Sequence, residues 1–534
     1  MSDGQAVPAD PRGLGRAAPV RPSTRGGQEA LADLIRISRE VGRDPDLVQG
    51  GGGNTSVKTA DGRAILIKAS GTALAEMNDS RGWVELSLSR LRRILSVARL
   101  LRLPAAERER EVLRLLGKSV VVPLGSRPSV ESSLHALLDR VVIHSHPVGL
   151  NAFLCSRGSR VAYMKAVGSG FWEPLYVPYV DPGFILAQRV EREIAEYCLR
   201  AGKLPSVMLL ENHGLFVSAP ETQECFAIHR SVCRAAERYM RLGRVNPFAF
   251  EVIPRGGSGL RRHGFLAGTI RSALLAARCS PLLVHRDREP IARRFIRLPE
   301  APLAALQGAF TPDQIVYCRT SPLVLDSLPE DGDGASWYES SVRLARRFRK
   351  RFGLDPRVVI VPRSGVYYAA KDLAQLRTVA EVYRGAMAVF LRAPRTGGPR
   401  FLTSRQTAFI ESWEVEAFRA RLAAGEGDLL DGRVNLIVDG GDPLGPFIET
   451  GIETGATLAV VTHRPRLLHT LGRRLGEKYL GILVRDASER TAGRVLESLF
   501  AELGGADLAV FVGPGPLAAA FGRALSRHAR RIED

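Results

Sequence analysis

Between residues 29 and 41 the apolar positions Leu31, Leu34, Ile35 and Val41 recur at helical spacing and predict a helix. Short apolar runs at 64–68, 141–143 and 206–210 predict buried strands. The segment 86–116, heavy in Arg and Leu, predicts one or two helices. Further helices are expected at 130–138, with Ser129 as N-cap, at 184–201 and at 225–242. This alternation closes near residue 245 and defines one α/β unit. Beyond it, strands are expected at 281–285, 315–318 and 357–361, a turn at Gly365, and helices at 336–350, 373–391 and 407–424. From Arg433 the rhythm changes. Strands at 434–438, 457–461, 481–484 and 508–512 alternate with helical sequence, which predicts a parallel, doubly wound sheet.

The pattern divides the chain into an expected disordered leader at 1–28, rich in Pro, Gly and Arg, and three folded parts at 29–248, 249–430 and 431–534. No apolar run reaches the length of a membrane span, and residues 1–28 lack the apolar core of a secretory signal. Six scattered cysteines without a CxxC pair point to a reducing, cytoplasmic setting. The net charge of +19 changes the picture little, because only eight of the 75 basic residues are lysine and the arginines are spread along the chain. Phe348 and Phe352 interleave with the densest cluster at helix spacing, as a core face does. Neither nucleic acid nor membrane is therefore expected as a partner, and an anionic small molecule suits the same charge.

Three histidines carry candidate chemistry. His144 and His146 lie two apart on an apolar strand, so both imidazoles share a face. His213 follows a second apolar strand. If those strands are neighbours, three nitrogens converge and leave a coordination position open, as a catalytic metal site requires. The other reading is three unrelated strand-end residues. The remaining seven histidines, His135 and His229 among them, show no grouping and are set aside as incidental. Glu131, at the first turn of the helix expected after Ser129, is either a helix-dipole partner or a general base beside a metal. Gly50–Gly53 with Asn54, the turn Ser70-Gly71-Thr72, and Ser129 have the composition of anion cradles or of ordinary loops.

The ordered motifs GGGNTS, KASGT, RPSVE, IHSHP and LENHG resemble the class II aldolase/adducin family over residues 30–245. The resemblance implies a class II aldolase-like α/β/α domain, Zn2+ held by His144, His146 and His213, and Glu131 as the acid/base group. It implies a substrate phosphate held by Gly53, Asn54, Ser70, Gly71 and Ser129. Val130 departs from the family's second hydroxyl beside Ser129 and removes one donor. Further on, GAFTPDQ (308–314), VPRSG (361–365) and FIESWEVE (409–416) resemble the middle of fused aldolase–dehydrogenase proteins of rhamnose catabolism, whose members commonly carry His where Gln314 stands.

The C-terminal part resembles a truncated, degenerate short-chain dehydrogenase. Gly440-Gly441 opens its Gly-rich turn, Phe447 replaces the third Gly and is expected to obstruct a pyrophosphate, and no Tyr-x-x-x-Lys follows. The resemblance as a whole implies a metal-dependent aldehyde-lyase. It would cleave a ketose phosphate such as rhamnulose 1-phosphate to dihydroxyacetone phosphate and an aldehyde, as a homo-oligomer, tetrameric by family likeness. A non-catalytic scaffold, a sugar-phosphate epimerase and a residual NAD(P)-dependent oxidoreductase are the alternatives.

Overall fold

The computed structural model describes residues 22–122, 126–158, 160, 163, 173–240, 259–300, 303, 305, 307–329, 334–413 and 428–533. The first helix is Arg25–Gly42. It starts before residue 29 because Thr24 caps it, accepting from the Gly27 N–H at 3.1 Å. The expected end of the leader at 28 is corrected accordingly.

Eight strands form the first sheet: β1 Asn54–Lys58, β2 Ala64–Lys68, β3 Trp83–Ser87, β4 Val120–Val122, β5 Val141–Ser145, β6 Leu175–Val177, β7 Val207–Leu210 and β8 Gly214–Ala219. Their order is β4-β3-β2-β1-β5-β8-β7-β6, antiparallel except for the β6–β7 pair. Alternating residues of β5 feed two cores. Val141 and Ile143 pack with the helices Arg25–Gly42, Val148–Leu154 and Thr222–Met240. Val142 packs on the other face with Leu88–Leu95 and Phe184–Ala201. The result is the expected α/β/α sandwich. Within 86–116 the helices are Leu88–Leu95 and the first part of Ala105–Ser119.

The second sheet comprises β9 Leu283–Arg286, β10 Leu323–Val324, β11 Val358–Val361 and β12 Gly365–Ala370, in the order β10-β11-β12-β9. Residues 315–318, expected as a strand, lie in a π-helical turn, Gln314–Cys318. Gly365 opens β12 instead of forming the turn. It pairs with Val361 across a hairpin whose tip holds Arg363 at φ 62°. The helix expected at 407–424 is seen as Ser404–Ser412, and residues 414–427 lie outside the described set. Phe348 and Phe352 sit together in the helix Gly334–Phe352 with ring centroids 4.7 Å apart, Phe348 being buried.

The third sheet is wholly parallel, β15-β14-β13-β16, from β13 Val434–Asp439, β14 Thr457–Thr462, β15 Tyr479–Leu483 and β16 Leu508–Val512. The chain reverses its winding between β13 and β16, where such sheets bind ligands. There Gly440 N–H donates to Val512 O (2.7 Å) and Gly515 N–H to Gly440 O (3.0 Å), so the two loops close on each other. Arg464 grips Asp439 with two bonds of 2.7 Å. Phe447 is exposed in the first turn of the helix Gly445–Glu453 that follows this loop. Among the described residues no helix is long and apolar enough to cross a membrane.

The helix Leu373–Arg392 packs against Val148–Leu154 of the first sandwich and is tied to β9 by a buried cluster. Arg384 gives Asp287 two hydrogen bonds of 2.9 Å, and the Tyr368 hydroxyl gives it a third at 2.5 Å. Asp287→Ala strips the guanidinium of that carboxylate inside the core. It is expected to cost about 3–5 kcal/mol, read as a lower denaturant midpoint at pH 7.

Candidate active site

His144 is the fourth residue of β5, and His146 lies just past the strand's end, where its N–H donates to Leu47 O at 2.8 Å. His213 arrives differently from expectation. β7 does not adjoin β5; β8 lies between them, and Ser145 pairs with Leu215. The turn that joins β7 to β8 therefore overhangs the end of β5 and carries His213. Asn212 makes this tight turn with a left-handed φ of 54°, a conformation Asn tolerates. Gly214 is required directly after His213. A β-carbon there would lie 2.5 Å from Ser145 O and 2.7 Å from the His146 ring.

The ligating atoms of His144, His146 and His213 lie within 4.8 Å of one another, and the Nε2 atoms of His144 and His146 are 3.1 Å apart. His144 Nδ1 meets the Leu215 carbonyl at 2.9 Å. A carbonyl only accepts, so Nδ1 carries the proton and Nε2 turns its lone pair inward. The ring stacks on Phe216 with centroids 3.9 Å apart. Burial, the largest influence, pushes His144 well below its ordinary pKa against the pull of Glu131 and keeps it in the neutral, ligating form. His146 Nδ1 lies 2.5 Å from Asp313 Oδ2, which fixes the same tautomer.

Glu131 faces the triad. Its Oε1 is 3.5 Å from His144 Nε2 and 3.4 Å from His213 Nε2. That oxygen is buried and has no hydrogen-bond partner among the described residues. An orphaned carboxylate oxygen aimed at inward imidazole lone pairs fits a divalent cation. The other oxygen, Oε2, accepts from Asn54 Nδ2 at 2.5 Å. Asn54 is itself oriented by His135, whose Nε2 meets Oδ1 while Nδ1 meets Ser56 Oγ at 2.7 Å. His135, set aside in the sequence as incidental, belongs to the site's support.

One cleft is lined by Gly53, Asn54, Ser70, Gly71, Ser129, Glu131, His146 and His213, so the structure gathers the candidates read from the motifs; His144 lies fully buried behind them. Ser129 is not an N-cap. The helix begins only at Ser132, and Ser129 Oγ instead accepts from Glu131 N–H (3.3 Å) and Asn54 Nδ2 (3.2 Å). Lys68, also lining the cleft, braces the glycine loop by donating to Gly51 O (2.8 Å) and Gly53 O (3.0 Å). Pro312, Asp313 and Trp413 also line it. Asp313 and Trp413 stood inside two of the sequence motifs, but nothing local marked them as site residues.

The family model of the class II aldolase and adducin N-terminal domain matches residues 32–240. Those residues form a class II aldolase/adducin domain. Likeness extends past the aldolase domain. The chain is 26% identical over 448 residues to the uncharacterized oxidoreductase YuxG of Bacillus subtilis (strain 168), covering 78% of this chain and 62% of that protein. The chain thus spans less than two thirds of that relative's length. A solved N-terminal class II aldolase domain of a conserved protein from Thermoplasma acidophilum is 28% identical, with 42% of this chain and 98% of that one covered and a TM-score of 0.33. L-fuculose-1-phosphate aldolase from Thermus thermophilus is 17% identical, with 40% and 94% covered and a TM-score of 0.25.

Besides His144, two further buried histidines of the aldolase domain contribute a pH dependence. Burial is the main cause that takes His135 down to about 3 and His229, which meets Ser145 Oγ at 2.7 Å, down to about 4. In the unfolded chain both titrate near 6.5. Between those values the unfolded chain binds protons that the folded chain refuses. Stability is therefore complete above pH 6.5 and is lost as pH falls toward 4, by up to about 1.4 kcal/mol per unit for each ring. Denaturant titrations in chelating buffer at pH 7, 6 and 5 measure the slope, which His229→Gln is expected to flatten.

Proposed function

We propose that the protein is a zinc-dependent aldolase, a class II aldehyde-lyase that cleaves a phosphorylated ketose of the rhamnulose 1-phosphate kind to dihydroxyacetone phosphate and an aldehyde. One observation carries the reading. Imidazoles with inward lone pairs and an orphaned carboxylate adjoin the same cleft that Gly53, Asn54, Ser70, Gly71 and Ser129 line. Zinc, held by His144, His146 and His213, would act as a Lewis acid for the negative charge that develops on substrate oxygen as the carbon–carbon bond breaks.

The chain's own groups do the rest. Asn54 holds Glu131 Oε2, which leaves Oε1 turned to the triad, where the substrate would meet the metal. Glu131 then delivers a proton to the carbon left electron-rich by cleavage and withdraws it in the reverse direction. Gly53, Asn54, Ser70, Gly71 and Ser129 take the phosphate, with the Lys68 charge behind the loop. Val130 gives that wall an apolar patch. A pure scaffold has no use for a buried, unpaired carboxylate oxygen, since such a group costs stability. The same proposal makes the protein a cytoplasmic homo-oligomer, tetrameric by family likeness, without a nucleic-acid or membrane partner.

Metal analysis together with cleavage of a panel of ketose 1-phosphates tests this reading. His146→Ala is expected to lose both ion and cleavage. Glu131→Gln is expected to keep the ion and lose cleavage by about 100-fold or more. Bound metal without turnover of any phosphoketose would overturn it.

A further inference from the structure

The acceptor on His146 comes from outside the aldolase domain. Asp313 lies 167 positions further along the chain, beyond residue 240, and is almost fully buried. Several features build the contact. A β-carbon on Gly52 would collide with the Asp313 carboxylate and crowd His146 Nδ1 at 3.1 Å, so the glycine loop leaves room for this pair. Tyr317, one helical turn after Asp313, accepts from the Gly51 N–H at 2.9 Å. Asn212, beside His213, donates to Phe310 O and to Arg400 O, each at 2.9 Å. Gln314 Oε1 accepts from Phe310 N–H at 2.9 Å and closes the turn that presents Asp313. The segment around Asp313 is thus fixed to the glycine loop on one side and to the His213 turn on the other.

From this geometry we infer that Asp313 is a positioning residue of the metal centre, and that residues beyond the aldolase domain complete that domain's site. The inference rests on the metal-dependent reading above. His146 follows the end of β5, so strand pairing does not hold its ring. The carboxylate does. By accepting the Nδ1 proton it sets the tautomer, stops ring rotation and raises the basicity of Nε2. Pro312 and Trp413 bring further parts of the same region to the cleft wall.

The test uses full-length wild type, Asp313→Ala, Asp313→Asn and Gly52→Ala. Zinc affinity is measured by chelator competition, the d–d spectrum is recorded after Co2+ loading, and the melting of each metal-free protein is followed. Asp313→Ala is expected to bind zinc roughly 10–100-fold more weakly, with an altered Co2+ spectrum and an unchanged metal-free melt. Asp313→Asn keeps a neutral acceptor and should lose less. Gly52→Ala should weaken binding although Asp313 is present, because it forces the pair apart. If Asp313→Ala fails to fold, the other two variants carry the comparison. Wild-type affinity and spectrum in Asp313→Ala, or in both Asp313→Asn and Gly52→Ala, would overturn the inference and leave the aldolase reading standing. A wild type that binds neither ion would bring down both.

Discussion

An imidazole presents Nε2 to a cation only while Nδ1 keeps its proton, and a buried Nδ1–H needs an acceptor. Much of the site's construction serves that requirement. The Leu215 carbonyl accepts from His144 because β8 pairs with β5 in the register Ser145–Leu215. The same pairing hangs the β7–β8 turn over the end of β5 and delivers His213. Gly214 is the cost of that closeness, since a side chain there would strike both the strand and the His146 ring. His146, one step past the ladder, has no sheet carbonyl to use and takes its acceptor from Asp313.

A second relay orients the acid/base group. Asn54 has one accepting and one donating end. His135 Nε2–H occupies the accepting end, so the amide N–H must face Glu131 and Ser129. His135 Nδ1 is then an acceptor for the Ser56 hydroxyl, which requires the neutral ring. Burial enforces that state by taking His135 down to about 3. Ser56, His135, Asn54 and Glu131 thus form one ordered chain whose polarity leaves a single arrangement. It hands Glu131 a hydrogen bond on one oxygen and leaves the other turned to the triad.

The sequence disclosed what repeats or lies close together. His144 and His146 could be read from strand alternation, the parallel third sheet from its βαβ rhythm, and Glu131 and the glycine loops from ordered motifs. His135 carried no signal, because its role depends on Asn54 lying opposite it in space, 81 positions away. Asp313 was hidden for the same reason. The apolar run 315–318 misled because β-branched and aromatic residues suit a strand. A strand would separate residues 313 and 317 by about 13 Å. A tight turn instead lets Asp313 reach His146 while Tyr317 reaches Gly51. Tertiary demand overrode local preference.

The seam beside the site is rich in directed polar contacts. Glu211, next to Asn212, accepts from the Tyr176 hydroxyl (2.8 Å), the Tyr179 N–H (3.0 Å) and Arg400 (2.5 Å). Arg400 N–H in turn donates to Cys155 O at 2.8 Å, and Gly158 N–H to Thr396 O at 2.8 Å. Directed polar pairs of this kind add little net stability, but each is satisfied in only one relative placement of its partners. A seam built from them fixes register more than it adds adhesion. At the candidate metal centre, where a loosely held ring would spoil the ligand geometry, register is the property that the region around residues 308–413 is built to supply.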